Sequence, residues 1–320
     1  SVTGPPNGAH LATVLAGLAG ESRFMAEAGA GVLGIAFLVK AGSWPLNFWL
    51  PTAYSAAAAP VAAIFAILTK VGVYVLLRLS LLLFGSDAAS TGFGEQALFF
   101  IGMATILFGA IGILASQALG RLAGYSVLVS SGTLLAAVGF AQTGVTAGAL
   151  FYLVSSTLTL SAFFMLIELI ARGQDPAADV LAVTMEAYGE GEEEEEEVEE
   201  IGVTIPETLA VLGVSFAACG VLLAGLPPLS GFIAKFAMLT SMFNPGGVGE
   251  GVIRHSSWWL ASFLILSGFA TLIAMTRAGI SVFWARIDGE VPRVLLVEMA
   301  PVAVLLAMTL ILTIAAGPVL

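Results

Sequence analysis

Residues 31–51 read GVLGIAFLVKAGSWPLNFWLP, an apolar run that encloses Lys40 and carries proline at positions 45 and 51. A helix through this stretch breaks or kinks at Pro45, because proline lacks a backbone donor and clashes with the preceding turn. Lys40 needs a special environment, since an unpaired ammonium in an apolar medium is strongly disfavoured. The combination returns at residues 222–236, LLAGLPPLSGFIAKF, where Pro227 and Pro228 precede Lys235. The third lysine, Lys70, lies in AIFAILTKVGVYVLLRL, and the chain has no others. Ionisable groups at membrane depth usually face a bundle interior or a water-filled cavity and mark ion or proton paths. Snorkelling toward headgroups and structural ion pairs are the plainer uses of such lysines.

Composition supports the membrane reading. Hydrophobic residues make up 58% of the chain and charged residues 10%, and the mean hydropathy is +1.01. A spanning helix needs about 20 mostly apolar residues. Suitable stretches fall at 25–43, 60–83, 97–117, 122–141, 146–171, 207–242 (interrupted), 257–284 and 298–317. The short-strand alternation of outer-membrane barrels is absent, so helices must satisfy the backbone. The expected fold is all-α: a polytopic transmembrane helix bundle with two proline-broken helices, forming one domain over residues 1–320. The net charge of −11 is concentrated, because ten of the 22 acidic residues lie between Glu186 and Glu200. That leaves 12 acids against 11 basic residues, a nearly neutral transmembrane body. Residues 173–205 therefore read as a solvated acidic loop; a cation-attracting vestibule is the functional alternative.

Arginine placement orients the bundle. Arg121, Arg172, Arg277, Arg286 and Arg293 fall on one side, which the positive-inside rule makes cytoplasmic, and the acidic loop lies there too. Cys219 is the sole cysteine, in the apolar setting SFAACGVLL, and reads as a small buried hydrophobe. The first residues, SVTGPPNGAH, do not resemble a cleavable signal. They read as an interior loop of a longer protein or the start of a truncated one.

Paired, proline-interrupted segments are a pointer to a transport site built from inverted repeats, because freed backbone groups survive at membrane depth only inside protein or beside water. Simple kinking of packed helices is the alternative. Lys70 lies mid-helix beside Gly72, which allows close approach of a neighbour. Arg78 is eight residues on and expected on roughly the same face, where like charges repel. Hydroxyls dominate the other polar positions. Ser126, Ser130 and Ser131 share one helix, with Ser126 and Ser130 a turn apart; Ser155 lies on the next. They could support a water wire, although membrane hydroxyls more often bond the backbone or help helices pack. Glu168 is expected to pair with Arg172 at i,i+4. The match of GAGVLG (29–34) to a dinucleotide motif is incidental, as it lies within an apolar helix. His10 and His255 fall in loops, so no metal site and no nucleophile dyad is expected. The five tryptophans are expected near span ends, no cofactor is implied, and nucleic-acid binding has no support.

The segments KAGSWPLNFWLPTAYSAAAAPVAAIFAILTKVGVYVLLR and AGLPPLSGFIAKFAML closely resemble the D-type subunits of Mrp-type (Pha-type) multisubunit monovalent cation/proton antiporters. GRLAGYSVLVSSG and ALFYLVSSTL agree, and the chain is more widely similar to the antiporter-like membrane subunits of complex I and membrane-bound hydrogenases. The resemblance implies about fourteen helices in inverted repeats, with this chain covering the later ones, and a midplane path of buried lysines and water. It places Lys40 and Lys235 on the two broken helices and Lys70 on the helix that follows the first break. The family's glutamate partner for Lys40 falls on an earlier helix than those present here. The function implied is a membrane subunit of a Na⁺(K⁺)/H⁺ antiporter, a secondary transporter rather than an enzyme. It would work with other subunits in the bilayer of the bacterial cytoplasmic membrane, and protons would pass along Lys40, Lys70 and Lys235. The alternatives are a proton-pumping subunit of a complex I-like or hydrogenase-like assembly, and a non-transporting structural scaffold.

Overall fold

The computed structural model describes residues 21–84, 92–172, 207–246, 252–284 and 296–319. The acidic tract, His10, Arg286 and Arg293 lie outside them. The helices are α1 (Glu21–Lys40), α2 (Leu50–Ala56), α3 (Ala59–Leu83), α4 (Glu95–Ala115), α5 (Leu119–Phe140), α6 (Thr143–Arg172), α7 (Glu207–Ala224), α8 (Ser230–Phe243), α9 (His255–Gly279), α10 (Leu296–Ile314) and the short α11 (Ala316–Val319). A π-helical turn, Ile280–Trp284, extends α9. Seven of these are long and apolar enough to cross a membrane, and α7 and α8 are shorter apolar halves. The bundle is all-helical.

Local chemistry sets several of the boundaries. Pro51 and Pro60 occupy the first turns of α2 and α3, where the missing N–H has no intrahelical partner to lose and φ is already helical. The first break spans residues 41–49, so the span expected at 25–43 ends at Lys40 and the chain continues after the break through the short helix α2. Gly42 takes φ +66° there and Gly225 takes +76° in the second break, a left-handed region that side chains disfavour. The break is tied down: Trp44 donates its backbone N–H to Thr105 Oγ1 at 2.9 Å, and Ser43 Oγ donates to the Leu38 carbonyl at 3.0 Å. Trp49, expected near a span end, instead closes the break, with its ring nitrogen enclosed and without a hydrogen-bond partner among the described residues.

Helices α4 and α5 form the tightest seam. A Cβ on Gly132 would stand 2.7 Å from the Ile106 nitrogen, and one on Gly139 would lie 2.5 Å from the Glu95 carbonyl oxygen. Only glycine lets these backbones approach so closely. Helix α6 is the central strut, packed on α3, α5, α7, α8 and α10. The outward faces carry exposed Phe100, Ile111, Val214, Leu266 and Ile311, a surface suited to lipid or to other apolar helices.

Buried apolar residues form two clusters, one at each end of the bundle. The first includes Leu50, Tyr54, Val127, Leu128, Leu160, Phe163 and Leu212. The second includes Val73, Leu135, Ala149, Tyr152, Ala234, Met238 and Leu264. The residues between them along each helix are the buried polar ones: Thr69 and Lys70 on α3, Ser130, Ser131 and Thr133 on α5, and Ser155, Ser156 and Thr159 on α6. Ser230 and Lys235 on α8 and Ser267 and Thr271 on α9 are buried as well. A polar layer is thus enclosed between two apolar cores.

Candidate functional site: the buried polar layer

Lys70 lies near the centre of this layer. Its side chain is 2% exposed, and its Nζ donates to Ser130 Oγ at 2.5 Å. Helix α5 delivers that serine because it is buried on almost every side, so its polar residues must face other protein. Beside Ser130, the phenol of Tyr152 on α6 interacts with the hydroxyls of both Ser130 and Thr133. Thr133 sends its own proton to the Val129 carbonyl at 2.9 Å, so toward the phenol it can only accept. Next to Lys70, Thr69 and Tyr54 share a short hydrogen bond, which fastens α2 to α3.

One turn beyond Tyr152, Ser155 shares a 2.7 Å hydrogen bond with Ser230, the first residue of α8. The Ser230 backbone N–H donates to Thr313 Oγ1 on α10 at 2.9 Å. The second break is therefore gripped from two sides. Lys235, 7% exposed, reaches back across it, and its Nζ donates to the Ala224 carbonyl at 2.9 Å. That carbonyl closes α7, and a cation is favoured at a helix C-terminus. Two glycines leave room for the amine. A Cβ on Gly225 would lie 2.7 Å from Lys235 Cδ, and one on Gly268 of α9 would lie 3.8 Å from Nζ. Each ammonium has three N–H donors, so these bonds leave capacity for water.

Two expectations require correction. Lys40 is exposed on this chain, not buried. It ends α1, a helix with no buried residue, and its stem lies against α3, with Cγ 3.4 Å from where a Cβ on Gly72 would stand. The carbonyl end of each broken half-helix nonetheless carries a lysine: Lys40 as the last residue of α1, Lys235 folded back onto α7. Arg78 does not share the Lys70 environment. Eight helical steps turn about 80° beyond two full turns, so Lys70 faces inward while Arg78 is exposed. Glu168, half-buried, accepts from the Ala59 N–H at 3.4 Å at the start of α3, an acid placed favourably at a helix N-terminus; this leaves its expected pair with Arg172 uncontradicted, because the Arg172 side chain lies outside the described residues.

The four suggested hydroxyls divide. Ser130 binds Lys70 and Ser155 binds Ser230, whereas Ser126 donates to the Leu122 carbonyl within its own helix, at 2.9 Å. Ser131 Oγ is enclosed with no hydrogen-bond partner among the described residues. Pro45, Pro227 and Pro228 stand at the two breaks, as the sequence predicts, with cis peptide bonds before Pro45 and Pro228. Tyr152 was not legible as a site residue from hydroxyl counting on the serines and threonines; its signal is its spacing, three residues before Ser155 and so on the same helical face.

Residues 8–253 match the family described as NADH:quinone oxidoreductase/Mrp antiporter, TM. The D-type subunit of a probable K(+)/H(+) antiporter from Rhizobium meliloti is 61% identical over 98% of this chain and 59% of its own length. The D-type subunit of a Na(+)/H(+) antiporter from Bacillus subtilis is 30% identical over 92% of the chain and 52% of its own length. The chain thus spans between half and three fifths of these relatives. The Mrp complex from Dietzia sp. DQ12-45-1b contains a chain with the same fold, at TM-score 0.71 and 20% identity, covering 96% of this chain and 59% of that one.

Proposed function

Because this chain belongs to the NADH:quinone oxidoreductase/Mrp antiporter transmembrane family, we propose that it forms the later part of a D-type membrane subunit of a monovalent cation/proton antiporter. The 61% identity to a relative named as the D-type subunit of a K(+)/H(+) antiporter supports this reading. The observation that carries it is the polar layer: two buried lysines, Lys70 beside Ser130 between the two apolar cores and Lys235 against the broken helix end at Ala224. Buried ionisable groups are costly in a membrane and are retained for pathways.

In the proposed mechanism, protons pass along Lys40, Lys70 and Lys235 through hydroxyls and intervening water. Lys70 releases a proton toward Ser130 and is recharged from the Lys40 side, where the stem of Lys40 packs beside Gly72. Lys235 holds its proton against the Ala224 carbonyl and gives it up as the second break adjusts. The exchanged cation is Na⁺ or K⁺, the driving force is the proton gradient, and the setting is the bacterial cytoplasmic membrane with other antiporter subunits as partners. The protein is then a secondary transporter with no covalent chemistry of its own. In the full-length complex, Lys235→Ala abolishes cation-driven proton movement in everted vesicles while assembly persists. Undiminished exchange overturns the proposal. Co-purification with flavin or iron–sulfur subunits would select a redox-driven pump instead.

A further inference from the structure

Two parts of the polar layer are joined by a single side chain. Lys70 and Ser130 form one part, on α3 and α5; Ser155 and Ser230 form the other, on α6 and at the second break. Tyr152 touches the first part through Ser130 and Thr133 and precedes Ser155 by one helical turn on the same face. It is 4% exposed, and Ser130 and Thr133 are 1% exposed each.

We propose that Tyr152 is the relay residue that couples Lys70 to the second helix break, with Thr133 setting the direction in which its phenol proton points. The inference rests on the reading of Lys70 as a proton carrier. The hydrogen-bond inventory dictates the logic. A charged Lys70 can only donate, so Ser130 accepts from it and turns its own proton to the phenol oxygen. The phenol O–H then has one free acceptor among these groups, Thr133, whose own proton is held by the Val129 carbonyl. A neutral Lys70 offers a lone pair instead. Ser130 then donates to the amine, and the phenol donates to Ser130. As Lys70 gives its proton to Ser130, Ser130 passes its own to the phenol oxygen and the phenol proton leaves to a water on the Ser155 side, so every hydroxyl ends with a single proton. The phenol thus points to Thr133 when Lys70 is charged and to Ser130 when it is neutral. That water hands the proton to the Ser155–Ser230 pair, and rotation of the hydroxyls back between turnovers resets the chain for the next proton.

The test uses the full-length complex in everted vesicles. Tyr152→Phe keeps the ring and removes only the hydroxyl; the expected result is an exchange rate lower by about a hundredfold, the scale of a positioned proton-transfer group. The residual exchange should also show a larger solvent deuterium effect than wild type, which a purely packing role would not produce. Thr133→Val, nearly isosteric, should slow exchange several-fold with normal assembly, and it decides the matter if Tyr152→Phe fails to assemble. Exchange within about twofold of wild type in both variants would overturn the inference, provided Lys70→Met and Lys235→Ala abolish exchange in parallel. If those two lysine variants also exchange normally, the fault lies instead with the proton-path reading.

Discussion

Replacing Gly225 by alanine attacks the second break at its most constrained point. The residue has φ +76°, and placing an alanine in the left-handed region costs about 1–2 kcal/mol. The new Cβ would lie 2.7, 2.9 and 3.0 Å from Cδ, Nζ and Cε of Lys235, against about 3.5–4.0 Å for comfortable contact. The lysine must therefore move by about 1 Å. Its 2.9 Å bond to the Ala224 carbonyl is then lost, which removes about 1.5–3 kcal/mol more. A destabilisation of about 3–5 kcal/mol is expected from these two effects together. If the lysine swings away to relieve the clash, less stability is lost, but a 1 Å misplacement of a reacting group costs about a hundredfold in rate. The assay pairs tryptophan-fluorescence melting of the detergent-solubilised protein with exchange measured by a pH-sensitive dye in everted vesicles. Gly220→Ala is the control, because its Cβ would meet Met275 at an ordinary 3.5 Å. If Gly225→Ala melts and transports like Gly220→Ala, the account of how Lys235 is held is wrong.

Gly139→Leu should prevent the protein from accumulating in membranes, as read by immunoblot, because its Cβ would lie 2.7 Å from the Phe99 Cα and backbone cannot step aside; normal accumulation would contradict the α4–α5 seam. Arg277→Leu removes two hydrogen bonds to the end of α4, at 2.8 Å to the Leu114 carbonyl and 2.7 Å to the Ser116 carbonyl. Melting should fall by several degrees for a loss of about 1.5–3 kcal/mol, with Arg277→Lys intermediate and an unshifted Tm counting against the capping role.

The broad architecture was legible because its signals are local. Hydropathy marks the spans, and proline at 45, 227 and 228 marks the breaks, since the constraint acts within one or two turns of the residue itself. Lys70 and Lys235 could be read as buried from their apolar flanks. Lys40 could not, because burial depends on what covers α1, and no feature of residues 21–40 specifies that. The displacement of Arg78 has a simple origin: eight residues is slightly more than two turns, and the excess rotation carries the guanidinium out of the interior. Ser126 and Ser130 share a face, yet only Ser130 meets a lysine, because Ser126 lies a turn deeper beside the apolar core that holds Val127 and Leu128. The pairing of Ser155 with Ser230, and the approach of Thr313 to the α8 N-terminus, join residues 75 and 83 positions apart. Helix packing alone creates such contacts. Tyr152 belongs with them: its ring reads as core, and only the neighbouring α5 reveals what its hydroxyl touches.

Lys70→Met is the sharpest probe of whether the buried amine carries protons. Methionine fills nearly the same volume, keeps the apolar stem, and removes only the group that donates to Ser130. Exchange in everted vesicles carrying the assembled full-length complex should fall to the level of vesicles without it. A Lys70→Met complex that still drives wild-type proton movement on addition of Na⁺ or K⁺ would contradict the account.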